Sequence, residues 1–129
     1  MAKANYPLMK DSTRNNLVPA KLVGTKKEQQ IFANEADLIN KVVFGRTAKQ
    51  WRLANAEAKG NIRDFASTLD LLILSNLELL NSKLIEWGCD IDQRYDMLLI
   101  ESERQRDILS KNEAIIRLEE KITFQKKLK

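Results

Sequence analysis

Between residues 46 and 63 five cations (Arg46, Lys49, Arg52, Lys59 and Arg63) are opposed by one carboxylate, Glu57, with Trp51 set among them. Thr47, Gln50, Asn55 and Asn61 add uncharged donors in the same stretch. Guanidinium and ammonium groups beside an aromatic ring suit phosphate, single-stranded nucleic acid or an acidic protein face. Lys49 and Arg52 are three residues apart and share one face of a helix. Amides at a helix start after Thr47 would form an anion-ready end near Arg46. The plainer alternative makes Trp51 a core residue, pairs Arg52 or Arg63 with Asp64 or Asp70, and leaves the rest as solvated surface.

Other chemistry is thin. The 129 residues contain no His, which excludes a His general base, a Ser-His triad and a His-ligated metal. Cys89 is the single cysteine, so an intrachain disulfide and Cys-rich zinc sites are excluded too. It follows a predicted helix C-terminus, the wrong end to lower a thiol pKa, and reads as structural or idle. The carboxylate pairs Glu35/Asp37, Glu101/Glu103 and Glu119/Glu120 lie among Lys and Arg and read as solvated helix faces. Neither the P-loop nor the dinucleotide glycine pattern occurs. The expectation is a protein that is not an enzyme, with no cofactor and no metal site.

The elements that must position the basic segment are helical. Hydrophobic residues make up 43% and charged residues 31%, with aromatics at only 6% and few Gly or Pro. That composition favours a globular all-α chain over a turn-rich sheet. Charge is uneven: residues 1–66 hold twelve Lys and Arg against six Asp and Glu, a net +6, while residues 89–129 balance nine against nine. No apolar run reaches the roughly 18 residues of a membrane span, and no signal-peptide core is present.

Residues 1–24 hold both prolines, Pro7 and Pro19, and lack sustained periodicity; they read as an irregular arm anchored by Tyr6, Leu8, Leu17, Val18 and Leu22. Thr25 and Glu28 match a capping box, followed by a helical apolar face from Ile31 to Val43 and a terminating Gly45. Asn34 could split this stretch in two. Thr47 and Gln50 open a short helix over 48–54. Ser67 and Asp70 open a third, apolar almost all round to Leu74 and hence buried; it is stopped by Gly88. Asn76 and Asn81 within it need hydrogen-bond partners. From Asp92 to about Lys126 no Gly or Pro interrupts, predicting a long C-terminal helix. Ile108, Ile115 and Ile122 recur every seven residues with Asn112 between them, the pattern of a short coiled-coil seam with a register-setting polar residue. That seam would serve oligomerisation or fold back on the same domain.

The expected architecture is therefore one compact domain of four to six helices with a buried central helix. The expected parts are an arm (1–24), a helical core (25–100) and a C-terminal helical extension (101–129).

The strings Phe44-Gly-Arg-Thr-Ala-Lys-Gln-Trp-Arg52 and Lys59-Gly-Asn-Ile-Arg-Asp-Phe-Ala66 resemble the C-terminal region of KilA-N domain proteins of phages and bacteria. Asn16-Leu-Val-Pro19, Phe32-Ala-Asn-Glu-Ala-Asp37 and Leu74-Ser-Asn-Leu-Glu78 extend the resemblance over about residues 2–88. Beyond Gly88 the tail is longer and more charged than the family's. The resemblance implies phage or mobile-element origin and a home in the cytoplasm of a bacterial host. It does not carry over the DNA binding of the KilA-N domain itself, which this chain lacks. The leading expectation is an interaction module, acting on a host or defence protein complex through Arg46, Lys49, Trp51, Arg52, Lys59 and Arg63. Direct DNA or RNA binding by that surface is the second reading. Oligomerisation through Ile108, Ile115 and Ile122 is the third.

Overall fold

The computed structural model describes residues 2–128. They form six helices in a single compact domain, with no strand among the described residues. The helices are α1 (Ala2–Leu17), α2 (Lys26–Phe44), α3 (Ala48–Ala54), α4 (Thr68–Glu86), α5 (Ile91–Leu109) and α6 (Glu113–Lys127). Short 3₁₀ turns at Ala20–Leu22 and Ile62–Phe65 complete the path.

The capping chemistry sets most of these boundaries. Thr47 with Gln50, Ser67 with Asp70 and Asp90 with Gln93 each form a reciprocal box. At Thr25 the box is shifted: the hydroxyl accepts from Glu28 N, but the Glu28 carboxylate reaches back to the amide of Gly24. Gly45 ends α2 at φ 75°, a left-handed turn that glycine adopts without strain. Helix α2 runs unbroken through Asn34.

Helix α4 is the central element, as its near-continuous apolar run requires. Ile73, Leu74 and Leu77 are fully enclosed. Leu38, Ile39, Val42 and Val43 of α2, Leu98 of α5 and Met9 of α1 close the core around it.

Two stretches differ from their sequence reading. Residues 2–17 are a helix rather than an irregular arm, with Pro7 inside it. The side chains that dock α1 are mostly small and polar, so apolar periodicity does not reveal them. Asn5 Nδ2 donates to the Ser75 carbonyl and hydroxyl, both at 2.8 Å. Ser12 and Ser82 hydroxyls lie 2.6 Å apart. Both contacts advance by seven residues on each helix, so α1 and α4 run parallel, and their small side chains bring the axes close. Burial of Met9, Ser12 and Thr13 outweighs the hydrogen bond that Pro7 removes.

The C-terminal stretch is two helices rather than one. The chain breaks at 110–112, where Asn112 accepts hydrogen bonds from the amides of Ala114 and Ile115. Asn112 is thus an N-cap and not a seam residue. The expected seam does not form: Ile108 is exposed on α5, whereas Ile115 rests against the core and Ile122 faces the start of α4. Glu119 fixes this fold-back by accepting from the Leu69 amide at 2.8 Å, which places a carboxylate at the positive end of α4.

Candidate interaction site

The basic segment folds into one continuous feature. After Gly45 the Thr47 box starts α3, whose seven residues carry Lys49, Trp51, Arg52 and Leu53. The returning loop is held from inside. Arg52 donates to the carbonyls of Asn55 (3.4 Å), Ala58 (2.7 Å) and Gly60. Gly60 has φ 100°, and a Cβ there would lie 2.5 Å from Asp64 Oδ2; only glycine fits. Asn61 and Asp64 then cap the 3₁₀ turn reciprocally. That turn buries Ile62 and swings Phe65 onto Trp51, with ring centroids 5.4 Å apart and planes tilted by 36°.

The Trp51–Phe65 pair forms one side of an open hollow of about 300 Å³. Phe44, Arg46, Asn55 and Asp70 also line it. Asp70 is neutralised by Arg106, whose Nη1 donates to it at 2.8 Å. Arg46, which lines the hollow, and Lys49 and Lys59 of the same segment are exposed and form no ion pair or side-chain hydrogen bond among the described residues. Leu53 and Phe65 stand 74% and 61% exposed beside them.

The six cationic and aromatic residues singled out from sequence therefore divide. Arg46, Lys49 and Lys59 are free cations, of which Arg46 lines the hollow, and Trp51 is half-buried in its wall. Arg52 is a loop staple that also stacks over the Trp51 ring, 4.9 Å from its centroid. Arg63 turns inward to Glu78, 3.8 Å away, rather than to Asp64 or Asp70. Sequence reasoning missed Phe65 and Leu53 as part of the surface. Phe65 follows Trp51 by fourteen residues across an irregular loop, a spacing that no helical pattern marks.

Glu35 and Glu78 are carboxylates buried within the helical core. Glu35, expected on a solvated face, is buried against Arg94 of α5. Arg94 donates from both terminal nitrogens to its two oxygens, the Nη2 bond measuring 3.1 Å. Asn81 bridges the pair, donating to Glu35 Oε1 at 2.9 Å and accepting from Arg94 Nη1 at 3.0 Å. The Asn81 requirement is met in this way, and Asn76 finds Gln105 at 3.0 Å. Glu78 is different: it is fully enclosed, and neither carboxylate oxygen has a hydrogen-bond partner. Loss of water pushes its pKa up to about 7, against the opposing pull of Arg63.

Among the described residues no group of three His, Cys, Asp or Glu is placed to hold a metal ion, and no helix is long and apolar enough to cross a membrane. A second open hollow of about 390 Å³ lies between α2 and α5, lined by residues of mixed charge including Asp37, Lys41 and Asp92. In comparisons with known proteins, no family model, no curated protein and no solved structure matches the chain.

Proposed function

We propose that the chain is a non-enzymatic interaction module that docks a protein partner on the face built by α3 and the 3₁₀ turn. The observation that carries this reading is the hollow walled by the Trp51–Phe65 pair and lined by Arg46, with the exposed cations Lys49 and Lys59 on the same segment. An aromatic anchor site surrounded by a polar rim is the usual anatomy of an interface hot spot. The partner fits as an acidic segment that packs one apolar side chain on the exposed Phe65 ring of the Trp51–Phe65 pair and sets its carboxylates against Arg46 and the free lysines of the segment. The resemblance of residues 2–88 to KilA-N C-terminal regions supports placing this activity in a phage or mobile element. There its target would be a host or defence complex in the bacterial cytoplasm.

A protein is favoured over phosphate for three reasons. Arg52 and Arg63 are engaged internally, leaving three free cations. The Phe65 ring offers exposed apolar surface at the hollow, and the aliphatic Leu53 stands exposed on the same segment.

The test uses Trp51 as its own reporter in a Trp87→Phe background, Trp87 being exposed. Two probes are titrated: a peptide with one Phe flanked by Asp and Glu, and an oligothymidylate. The peptide is expected to saturate with a Trp51 emission change that Arg46→Glu/Lys49→Glu abolishes. Tighter oligonucleotide binding with a steep fall in salt would overturn the protein reading in favour of the nucleic-acid one.

A further inference from the structure

Arg63 belongs to two parts of the molecule at once. It is the second residue of the 3₁₀ turn Ile62–Phe65, whose Ile62 is buried and whose Phe65 ring packs on Trp51 at the docking face. Its guanidinium lies against the enclosed carboxylate of Glu78 in α4. One short turn therefore carries both an aromatic of the docking face and the counter-charge of a buried acid.

Charge alone joins Arg63 to Glu78. Arg63 Nη2 stands 3.8 Å from Glu78 Oε2, beyond hydrogen-bond range, and neither Glu78 oxygen accepts from any donor among the described residues. The Arg63 side chain is 36% exposed, so part of it already meets water.

Helices α1, α2, α5 and α6 pack on α4, and their charged groups are engaged elsewhere or exposed. Lys10 and Arg14 of α1 lie over the Phe32 ring, Asp11 accepts from Asn15, and the Tyr6 hydroxyl donates to neither Glu78 oxygen. Glu35 of α2 and Arg94 of α5 hold each other, while Asp37, Lys41 and Asp92 line the hollow between those helices. Arg106 holds Asp70, Glu119 of α6 accepts from the Leu69 amide, and Lys83 pairs with Glu86 on α4 itself. On the turn, Asp64 accepts from the Asn61 amide. Arg63 supplies the opposite charge that acts on Glu78.

An acidic partner on the α3 face competes for that guanidinium. Once Arg63 turns to the partner, Glu78 is left enclosed without water, donor or counter-charge, and its neutral form is favoured.

We propose that docking at this face is proton-linked: the acidic partner recruits Arg63 as a further cation, and Glu78 takes up one proton from solvent as the guanidinium leaves it. The linkage rests on the docking reading above and supplies its regulation. The partner prefers the chain in which Glu78 is already neutral, so affinity is highest at low pH and falls as pH rises through about 7.

The test measures binding of the acidic Phe peptide by Trp51 emission in the Trp87→Phe chain, from about pH 6 to about pH 8, where the peptide's Asp and Glu stay ionised. Affinity is expected to fall across this range by up to about tenfold, the limit for one proton linked at about pH 7. Glu78→Gln, neutral at every pH, should bind at the upper end as tightly as the parent at the lower end. Arg63→Ala, at a part-exposed position, should also show no pH dependence and bind more weakly than Glu78→Gln. Calorimetry at the upper pH, in buffers of different ionisation enthalpy, should show proton uptake by the parent and none by either variant. Peptide binding that is flat with pH in the parent would overturn the linkage and leave the docking reading standing. A slope that persists in Glu78→Gln would assign the proton to another group and overturn it too. No peptide binding at any pH would overturn the docking reading, and the linkage with it.

Discussion

Glu35 and Glu78 are buried to the same depth, one near the centre of α2 and the other near the centre of α4, yet their surroundings are opposite. Glu35 meets a bidentate guanidinium and an amide, and through Arg94 and Asn81 it ties α2, α4 and α5 together. Asn81 extends the network to α1 through the Met9 sulfur at 3.4 Å. Glu78 meets no donor, only the Arg63 charge at 3.8 Å. Exposure alone does not describe a buried acid; the donors that face it decide how much of the lost hydration is replaced.

The sharpest way to break this contrast is to remove the guanidinium. Arg94→Met leaves Glu35 buried without its partner, and such losses cost about 3–5 kcal/mol. Urea unfolding should show that loss, while Glu35→Leu/Arg94→Met should recover part of it, because no charge is then stranded and only Asn81 is left short of partners. Equal destabilisation in the single and double variants would mean that the network acts by shape and not by charge.

The next effect belongs to Glu78 and appears as a pH dependence. Its pKa rises from 4.5 in the unfolded chain to about 7 in the folded one. Below pH 4.5 the group is protonated in both states and carries no penalty. Between pH 4.5 and 7 the unfolded chain ionises first, so stability falls as pH rises, by about 3 kcal/mol in all. Above pH 7 this contribution levels off. Unfolding of the wild type and Glu78→Gln across pH 5–8 should show this slope in the first and its absence in the second.

The smallest effect separates Arg63 from Arg94. Arg63 is about a third exposed, its side chain at 36%, so water screens its attraction for Glu78. In Arg63→Ala the Glu78 pH transition should move upward, with only a minor change in stability at pH 5. An unmoved transition would show that desolvation alone sets the Glu78 pKa.

How much of this was legible in the sequence follows the chemistry of each element. Helices α2, α3 and α4 announce themselves through Thr25, Thr47 and Ser67 and through apolar faces of regular period. Helix α1 does not, because Asn5, Ser12 and Thr13 dock it by hydrogen bonds and close approach. The break after Leu109 is equally silent, since Ser110, Lys111 and Asn112 contain no Gly or Pro and Asn112 reads as well in a seam as at a cap. At the candidate site the cations were visible, but their division of labour was not. Whether Arg52 grips a loop or faces solvent depends on where three carbonyls fall, and that is a property of the folded loop.

The parallel pairing of α1 with α4 has a further consequence, for the order of assembly. Asn5 contacts Ser75, and Ser12 contacts Ser82, each across seventy residues of chain. Closing a loop of that length costs entropy before the contact repays it. During synthesis α1 emerges well before α4, and until then only α2 offers it contacts, such as Arg14 with Glu28. Helix α1 is therefore complete long before the partner that docks it.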